Sequence, residues 1–190
     1  PKPLVPVLGR PIIDWLLDAV QASGIDAVSV VVGHQADAMR AYLDSSIQTP
    51  LQAERNGTAH AVDVARDSVR DAEDVLVFVG DSPLVRPESI KRLLRVHRES
   101  GAACSFLTAD FAQHYPYARI IRGADGAVSA VIEERDCTPE QCTITEYLTS
   151  HFVFDAAALW SVLDRIPAHP VTQEPVSSTH LRAHETTTDR

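Results

Sequence analysis

The chain is 190 residues long, 45% hydrophobic and 23% charged, with a formal net charge of −9. It is long enough for one domain with a buried core, and no apolar run approaches the roughly 20 residues that cross a bilayer, so no membrane partner is expected. The acidic balance argues against a general nucleic-acid binder, which carries a basic patch, yet leaves room for a nucleotide held by local positive charge.

Ile12, Ile13, Leu16, Leu17 and Val20 recur at helical spacing, and Gly24 closes that helix. Residues 28–32 form a continuous apolar run, the pattern of a buried parallel strand. Gly33 ends it, and residues 36–43 read as a second helix. A third helix is predicted from Thr58 to about Arg70, followed by a strand at 75–79. After the turn Gly80-Asp81-Ser82-Pro83-Leu84, a helix runs from about Pro87 to Glu99, with proline suited to its first position. Residues 103–108 are another buried strand. Residues 118–122 and 128–133 read as a hairpin around Gly123-Ala124-Asp125-Gly126. A polar turn or short helix at 138–143, a strand at 151–154 and a helix at 156–165 complete the pattern.

These elements predict an α/β fold: a Rossmann-like open, mostly parallel sheet flanked by helices, with a small β insertion, over residues 1–174. From residue 175 the periodicity stops, and 175–190 is expected to be disordered or non-native. The i, i+4 pair His180 and His184 falls in that tail and is not read as a metal site. Cys104, Cys137 and Cys142 are an odd, sparse set, pointing to reduced thiols and a cytoplasmic setting. The chain opens at Pro1 rather than Met, so an upstream segment is expected.

Four places carry candidate chemistry. In the stretch from Leu51 to Ala61, Gly57 lets backbone approach a flat ligand, and Thr58 offers a hydroxyl and free N–H groups at a helix start. Gln52 supplies a donor and an acceptor, as a pyrimidine edge does. The stretch reads as a nucleotide pocket or as an ordinary capped helix. Asp81 stands just past a strand's C-terminal end, where open α/β sheets place ligands. There it either holds Mg²⁺, which prefers oxygen ligands, or caps the next turn, and Gly80 leaves a nucleotide room to pass. Lys2, stiffened by Pro1 and Pro3, either reaches a phosphate or is solvated surface. Glu133, in the cluster 133–136, either binds sugar hydroxyls or edges into solvent.

Taken together, these segments resemble the sugar-1-phosphate nucleotidylyltransferases, and within them the bacterial N-acetylglucosamine-1-phosphate uridylyltransferases (UDP-N-acetylglucosamine pyrophosphorylases). The matching stretches are Pro1-Lys2-Pro3-Leu4, Gly9-Arg10-Pro11, Val32-Gly33-His34, Gln52-Ala53-Glu54, Gly57-Thr58-Ala59-His60-Ala61 and Gly80-Asp81-Ser82-Pro83-Leu84. Further on come Ala130-Val131-Ile132-Glu133-Glu134, Asp136-Cys137-Thr138-Pro139-Glu140-Gln141 and Phe152-Val153-Phe154-Asp155.

The resemblance implies transfer of a uridylyl group from UTP to an amino-sugar 1-phosphate, with release of pyrophosphate, for cell-envelope (peptidoglycan) precursor synthesis in the cytoplasm. It implies Mg²⁺ as cofactor and is compatible with a homo-oligomer. Lys2 and Asp81 are then the catalytic positions and Asp81 the metal ligand. Gln52, Gly57, Thr58 and Gly80 bind the nucleotide, and Glu133, Ala118 and Thr149 lie on the sugar side. Several positions depart from the family pattern. Ala118 and Ser150 replace glycines, and Leu148 replaces a sugar-binding asparagine. No asparagine for a second metal contact occurs in 169–174. The glycine-rich phosphate loop that opens the family is absent, so the chain by itself is expected to be inactive. Two other readings stay open: a different sugar or alcohol phosphate or base, and a non-catalytic nucleotide-binding regulator on the same fold.

Overall fold

Residues 1–54, 56–163 and 165 are described by the structure, a computed structural model. The expected tail at 175–190 and the stretch 169–174 lie outside the described residues. A small hairpin comes first, β1 (Pro6–Val7) against β2 (Arg10–Pro11), turned by Leu8 and Gly9 at positive φ. Helix α1 (Ile12–Ala22) follows and buries Ile12, Ile13 and Leu16 of the predicted stripe together with Ala19, while Leu17 and Val20 are partly buried. Helix α2 (Ala36–Tyr42) packs Met39 onto the same cluster as Ile13, Leu16 and Val32.

Helix α3 (Gly57–Val64) is shorter than expected. The Ala65 N–H donates to Val62 three residues back, and the chain tightens into a 3₁₀ turn over Arg66–Val69. α3 packs with β3 (Asp74–Phe78) and α5 (Ala156–Leu163) around Ala59, Val62, Val75 and Leu159. Helix α4 (Pro87–Ser100) buries Ile90, Leu93 and His97 at i, i+3, i+7 and ends at Gly101, whose φ is 63°. Each fully buried aliphatic side chain of this kind contributes about 2 kcal/mol.

The strand β7 (Glu146–Asp155) organises a five-stranded sheet. One of its edges pairs with β3 and, at Arg119↔Tyr147, with β5 (Arg119–Arg122). Its other edge pairs with β4 (Cys104–Asp110), and β6 (Val128–Ile132) completes the hairpin with β5. All these pairings are antiparallel. The α/β open sheet with a β hairpin is therefore as expected, but among the described residues no pairing within the five-stranded sheet is parallel, and the parallel pairings are the isolated bridges Ser29↔Gln48 and Val32↔Leu51. β3 and β4, joined by α4, do run parallel to each other, and β7 lies between them and takes their hydrogen bonds.

Two further expectations are corrected. Residues 28–32 do not form a full strand: they make two parallel bridges, Ser29↔Gln48 and Val32↔Leu51. The strand expected at 151–154 begins five residues earlier, because Tyr147 and Leu148 are buried beyond the polar pair Thr149-Ser150. Ser150 breaks the alternation with a φ of 59°.

Candidate active site at the carboxyl ends of the strands

β3 ends at Phe78, and the chain passes through Val79 and Gly80 to Asp81 at the rim. The 3₁₀ turn Lys2–Leu4 lies against this rim. A Cβ placed on Gly80 would stand 3.6 Å from the Pro3 ring and 3.9 Å from Ile13. That packing brings Lys2 to Asp81, and the ammonium donates to the carboxylate. The hydrogen bond and then the charge of Asp81 hold the Lys2 pKa above its ordinary value. The lysine side chain is 74% exposed and the carboxylate 33% exposed, so both reach solvent.

Gln52 follows the Val32↔Leu51 bridge, and its N–H donates to the Val32 carbonyl at 2.8 Å. Its side-chain Nε2 donates to the Gly57 carbonyl at 2.9 Å, which fixes the carboxamide across the turn before α3. Gly57 holds φ at 85°, a left-handed conformation that favours glycine. Thr58 follows Gly57 in the first turn of α3.

Gln52, Thr58, Gly80, Ala118 and Glu133 all line one cavity of about 1170 Å³. Lys2 and Asp81 stand beside it, next to Gly80. Thr149 does not line it: its hydroxyl donates to the Leu107 carbonyl at 2.8 Å, while its neighbours Leu148 and Ser150 do face the cavity. Ala118 and Leu148 are 6% and 7% exposed and belong to one apolar cluster with Ile120 and Phe152, so this wall is greasy.

Three groups were not singled out by sequence. Tyr117 lines the cavity and lies close enough to Lys2 to add slightly to its raised pKa. Arg119, fully buried, ties the 115–118 loop down: its guanidinium donates to the Tyr115 carbonyl at 3.2 Å and to the Tyr117 carbonyl. It also stands 2.6 Å from Glu134 Oε2, an ion pair whose geometry is not aligned as a hydrogen bond, and lies over the Tyr147 ring. His151 lies opposite Phe78 in the β3–β7 register. Burial lowers its pKa, and the nearby Asp81 charge opposes that. Its Nδ1 is 3.1 Å from the Thr149 hydroxyl, and its Nε2 is buried with no hydrogen-bond partner among the described residues. These roles depend on cross-sheet pairing, which leaves no local signature.

Among the described residues no three His, Cys, Asp or Glu side chains gather into a metal cage. Asp81 offers a carboxylate oxygen at the rim. A hard cation that keeps several waters and takes its remaining oxygens from phosphates needs no more. Burial pushes the Cys104 thiol up to about 12 and the Cys137 thiol up to about 11, which leaves neither as a thiolate nucleophile at neutral pH.

Comparison with known proteins places this geometry. Bifunctional protein GlmU from Exiguobacterium sibiricum is 36% identical over 166 residues, covering 87% of this chain and 37% of that protein. The GlmU of Symbiobacterium thermophilum is 39% identical over 168 residues, covering 87% and 36% respectively. The chain thus spans just over a third of the length of these curated relatives. Among solved structures, a UDP-glucose pyrophosphorylase complexed with UDP-glucose superposes with a TM-score of 0.78 at 13% identity, over 94% of this chain and 76% of that one. An apo UDP-glucose pyrophosphorylase gives 0.76 at 14%, over 92% and 75%. At that identity the likeness shows the fold alone. The family profile of the MobA-like NTP transferase domain matches residues 1–175, and the chain belongs to that family.

Proposed function

We propose that this domain transfers a nucleotidyl group from UTP to a sugar 1-phosphate, releasing pyrophosphate, with N-acetylglucosamine 1-phosphate the sugar substrate that the GlmU relatives favour. The observation that carries the reading is the convergence of Gln52, Thr58, Gly80 and Glu133 on one cavity, with the Lys2–Asp81 pair at its edge. Chemically, an oxygen of the sugar phosphate attacks the α-phosphorus of the triphosphate in line. One P–O bond forms, the α–β anhydride bond breaks, and its electron pair leaves with pyrophosphate. No protein nucleophile is needed, and the raised thiol pKa values fit that. Catalysis is positioning and neutralisation of charge.

Lys2 supplies a positive charge that stays protonated through the neutral range. Gln52 and Thr58 hold the base, and Glu133 accepts from sugar hydroxyls. Asp81 would hold Mg²⁺, which when bound neutralises phosphate charge. We place the reaction in the cytoplasm, in the supply of activated sugar for envelope precursors. Among the described residues no helix is long and apolar enough to cross a membrane.

A second reading keeps the reaction and changes the acceptor. The apolar wall of Ala118 and Leu148 beside Glu133 suits a sugar or alcohol phosphate with fewer polar groups to satisfy. The test is pyrophosphate release by the full gene product with Mg²⁺ and a panel of nucleoside triphosphates and sugar phosphates. Turnover with UTP and N-acetylglucosamine 1-phosphate supports the first reading, and turnover only with another acceptor supports the second. Nucleotide binding without any release of pyrophosphate would indicate a regulatory module and overturn both.

A further inference from the structure

Cys137 and Cys142 stand at the two ends of one surface turn that follows Glu133. Cys137 leaves the 3₁₀ turn Glu134–Asp136, where its N–H donates to the Glu134 carbonyl at 3.3 Å and its thiol to the Ile132 carbonyl at 3.8 Å. The chain then folds back on itself. The Cys142 N–H donates to the Thr138 carbonyl at 2.9 Å, and the Gln141 side chain accepts from the Thr138 N–H at 2.9 Å. That closure puts the Cys142 side chain within hydrogen-bonding reach of the Cys137 sulfur.

The surroundings are those of a reactive pair. Both cysteines are half-buried, and Thr138, Pro139 and Glu140 between them are exposed, so a small reagent reaches the turn. Burial first, and Cys142 next, raise the Cys137 pKa, while the charge of Arg119 opposes them. A cation beside a thiol favours the thiolate, the form that attacks a disulfide. Cys104 differs: it lies on β4, and burial pushes its thiol up to about 12.

The sulfurs of a disulfide stand about 2.0 Å apart. Closing from hydrogen-bonding reach to that length asks for rotation of two side chains on a surface turn, and the Cys137 thiol gives up the Ile132 carbonyl in doing so. Disulfides in a reducing compartment are usually transient and redox-sensing.

We propose that Cys137 and Cys142 are a modification site: they close into a reversible disulfide by exchange with a small-molecule disulfide of the glutathione type. The Cys142 thiol loses its proton and attacks one sulfur of the reagent. That S–S bond breaks, and its electron pair leaves with the first small thiolate. Cys137, deprotonated in turn, attacks the Cys142 sulfur of the mixed disulfide and expels the second. The two protein thiols are oxidised by two electrons, and the reagent is reduced to two thiols that take up the two protons.

The link draws on the turn that holds the sugar side. Glu134 pairs with Arg119 at 2.6 Å and with His114 at 2.8 Å, its carbonyl accepts from Cys137, and its neighbour Glu133 lines the cavity.

The experiment treats the chain with oxidised glutathione, then denatures it for thiol counting and peptide mapping. Of its three thiols, that of Cys104 should remain, and dithiothreitol should restore the others. The map should show Cys137 linked to Cys142 within one molecule. Cys137→Ser should stop with glutathione held on Cys142, and Cys142→Ser should react at least about ten-fold more slowly than wild type. In the full gene product, oxidation should raise the sugar-phosphate KM roughly ten-fold, and Cys142→Ser should remove that response. This kinetic readout alone rests on the proposed function. A link formed in a protein without turnover would support the disulfide and count against that function. Three outcomes overturn the proposal. One is that all three thiols survive the treatment. Another is a stable glutathione adduct on Cys142 of the wild-type chain, which would mean that Cys137 does not reach it. The third is a link through Cys104 or between two chains. An unchanged KM with the link in place would overturn the coupling to Glu133.

Discussion

The ammonium of Lys2 donates to the carboxylate of Asp81 across 79 residues of chain. The two opposite charges at the strand rim are thus held on each other, and both are open to solvent. Under the proposed function, a phosphate that draws off the lysine would free the carboxylate for a cation, and one pair would present both charges that a nucleotide phosphate and its metal require. In the full gene product, Asp81→Asn should lower kcat at least about 100-fold. The circular dichroism spectrum and melting curve should stay close to wild type, because an exposed ion pair adds little to folding. Near-normal turnover in that variant would remove Asp81 from the site.

Arg119 holds the 115–118 loop and Glu134 together from a fully buried position. Arg119→Met should leave a half-buried carboxylate without its cation and cost about 3 kcal/mol of stability. The sugar-phosphate KM should rise, since Tyr117 and Ala118 lose their anchor. Arg119→Lys should recover little, because a lysine cannot span two loop carbonyls and a carboxylate with one planar fork. Urea denaturation and initial-rate kinetics check the two effects separately, and full rescue by lysine would remove the fork from the explanation.

His97 lies on α4, 3% exposed, with Nδ1 3.0 Å from the Ser105 hydroxyl and Nε2 3.6 Å from Asp74. Burial lowers its pKa from the ordinary 6.5; Asp74 and Asp155 oppose that, and Arg98 reinforces it. The folded state therefore binds this proton less readily than the unfolded chain. Stability contributed by the neutral imidazole is present above about pH 6.5 and is lost as pH falls below it. His151, also lowered by burial, acts in the same direction. Melting temperature measured from pH 8 to pH 5 should fall, and His97→Gln should flatten part of that slope. An unchanged slope would show that other groups set it.

Ser150 holds a left-handed φ of 59° inside β7, where the related family pattern has glycine. A side chain there costs roughly 1 kcal/mol, partly offset by the greater unfolded-state freedom of glycine. Ser150→Gly should raise the melting temperature by roughly 2 °C. A drop would mean that the Ser150 hydroxyl makes a contact worth more than the strain.

Most elements were legible in the sequence, apart from the β1–β2 hairpin and the run 28–32, because helical and strand periodicity, Pro87 at a helix start and Gly101 at its end act within a few residues. Gly80-Asp81 was legible for the same reason, being a turn directly after the clearest apolar run. What only tertiary structure decided was pairing. β7 comes last of the strands yet lies between β3 and β4, so a chain that reads as strand–helix–strand bonds antiparallel through a late insertion. The same long-range packing brings Lys2 to Asp81 and turns Thr149 toward Leu107. These outcomes depend on summed burial and ladder completion between segments dozens of residues apart, and such sums leave no periodic trace in the local sequence.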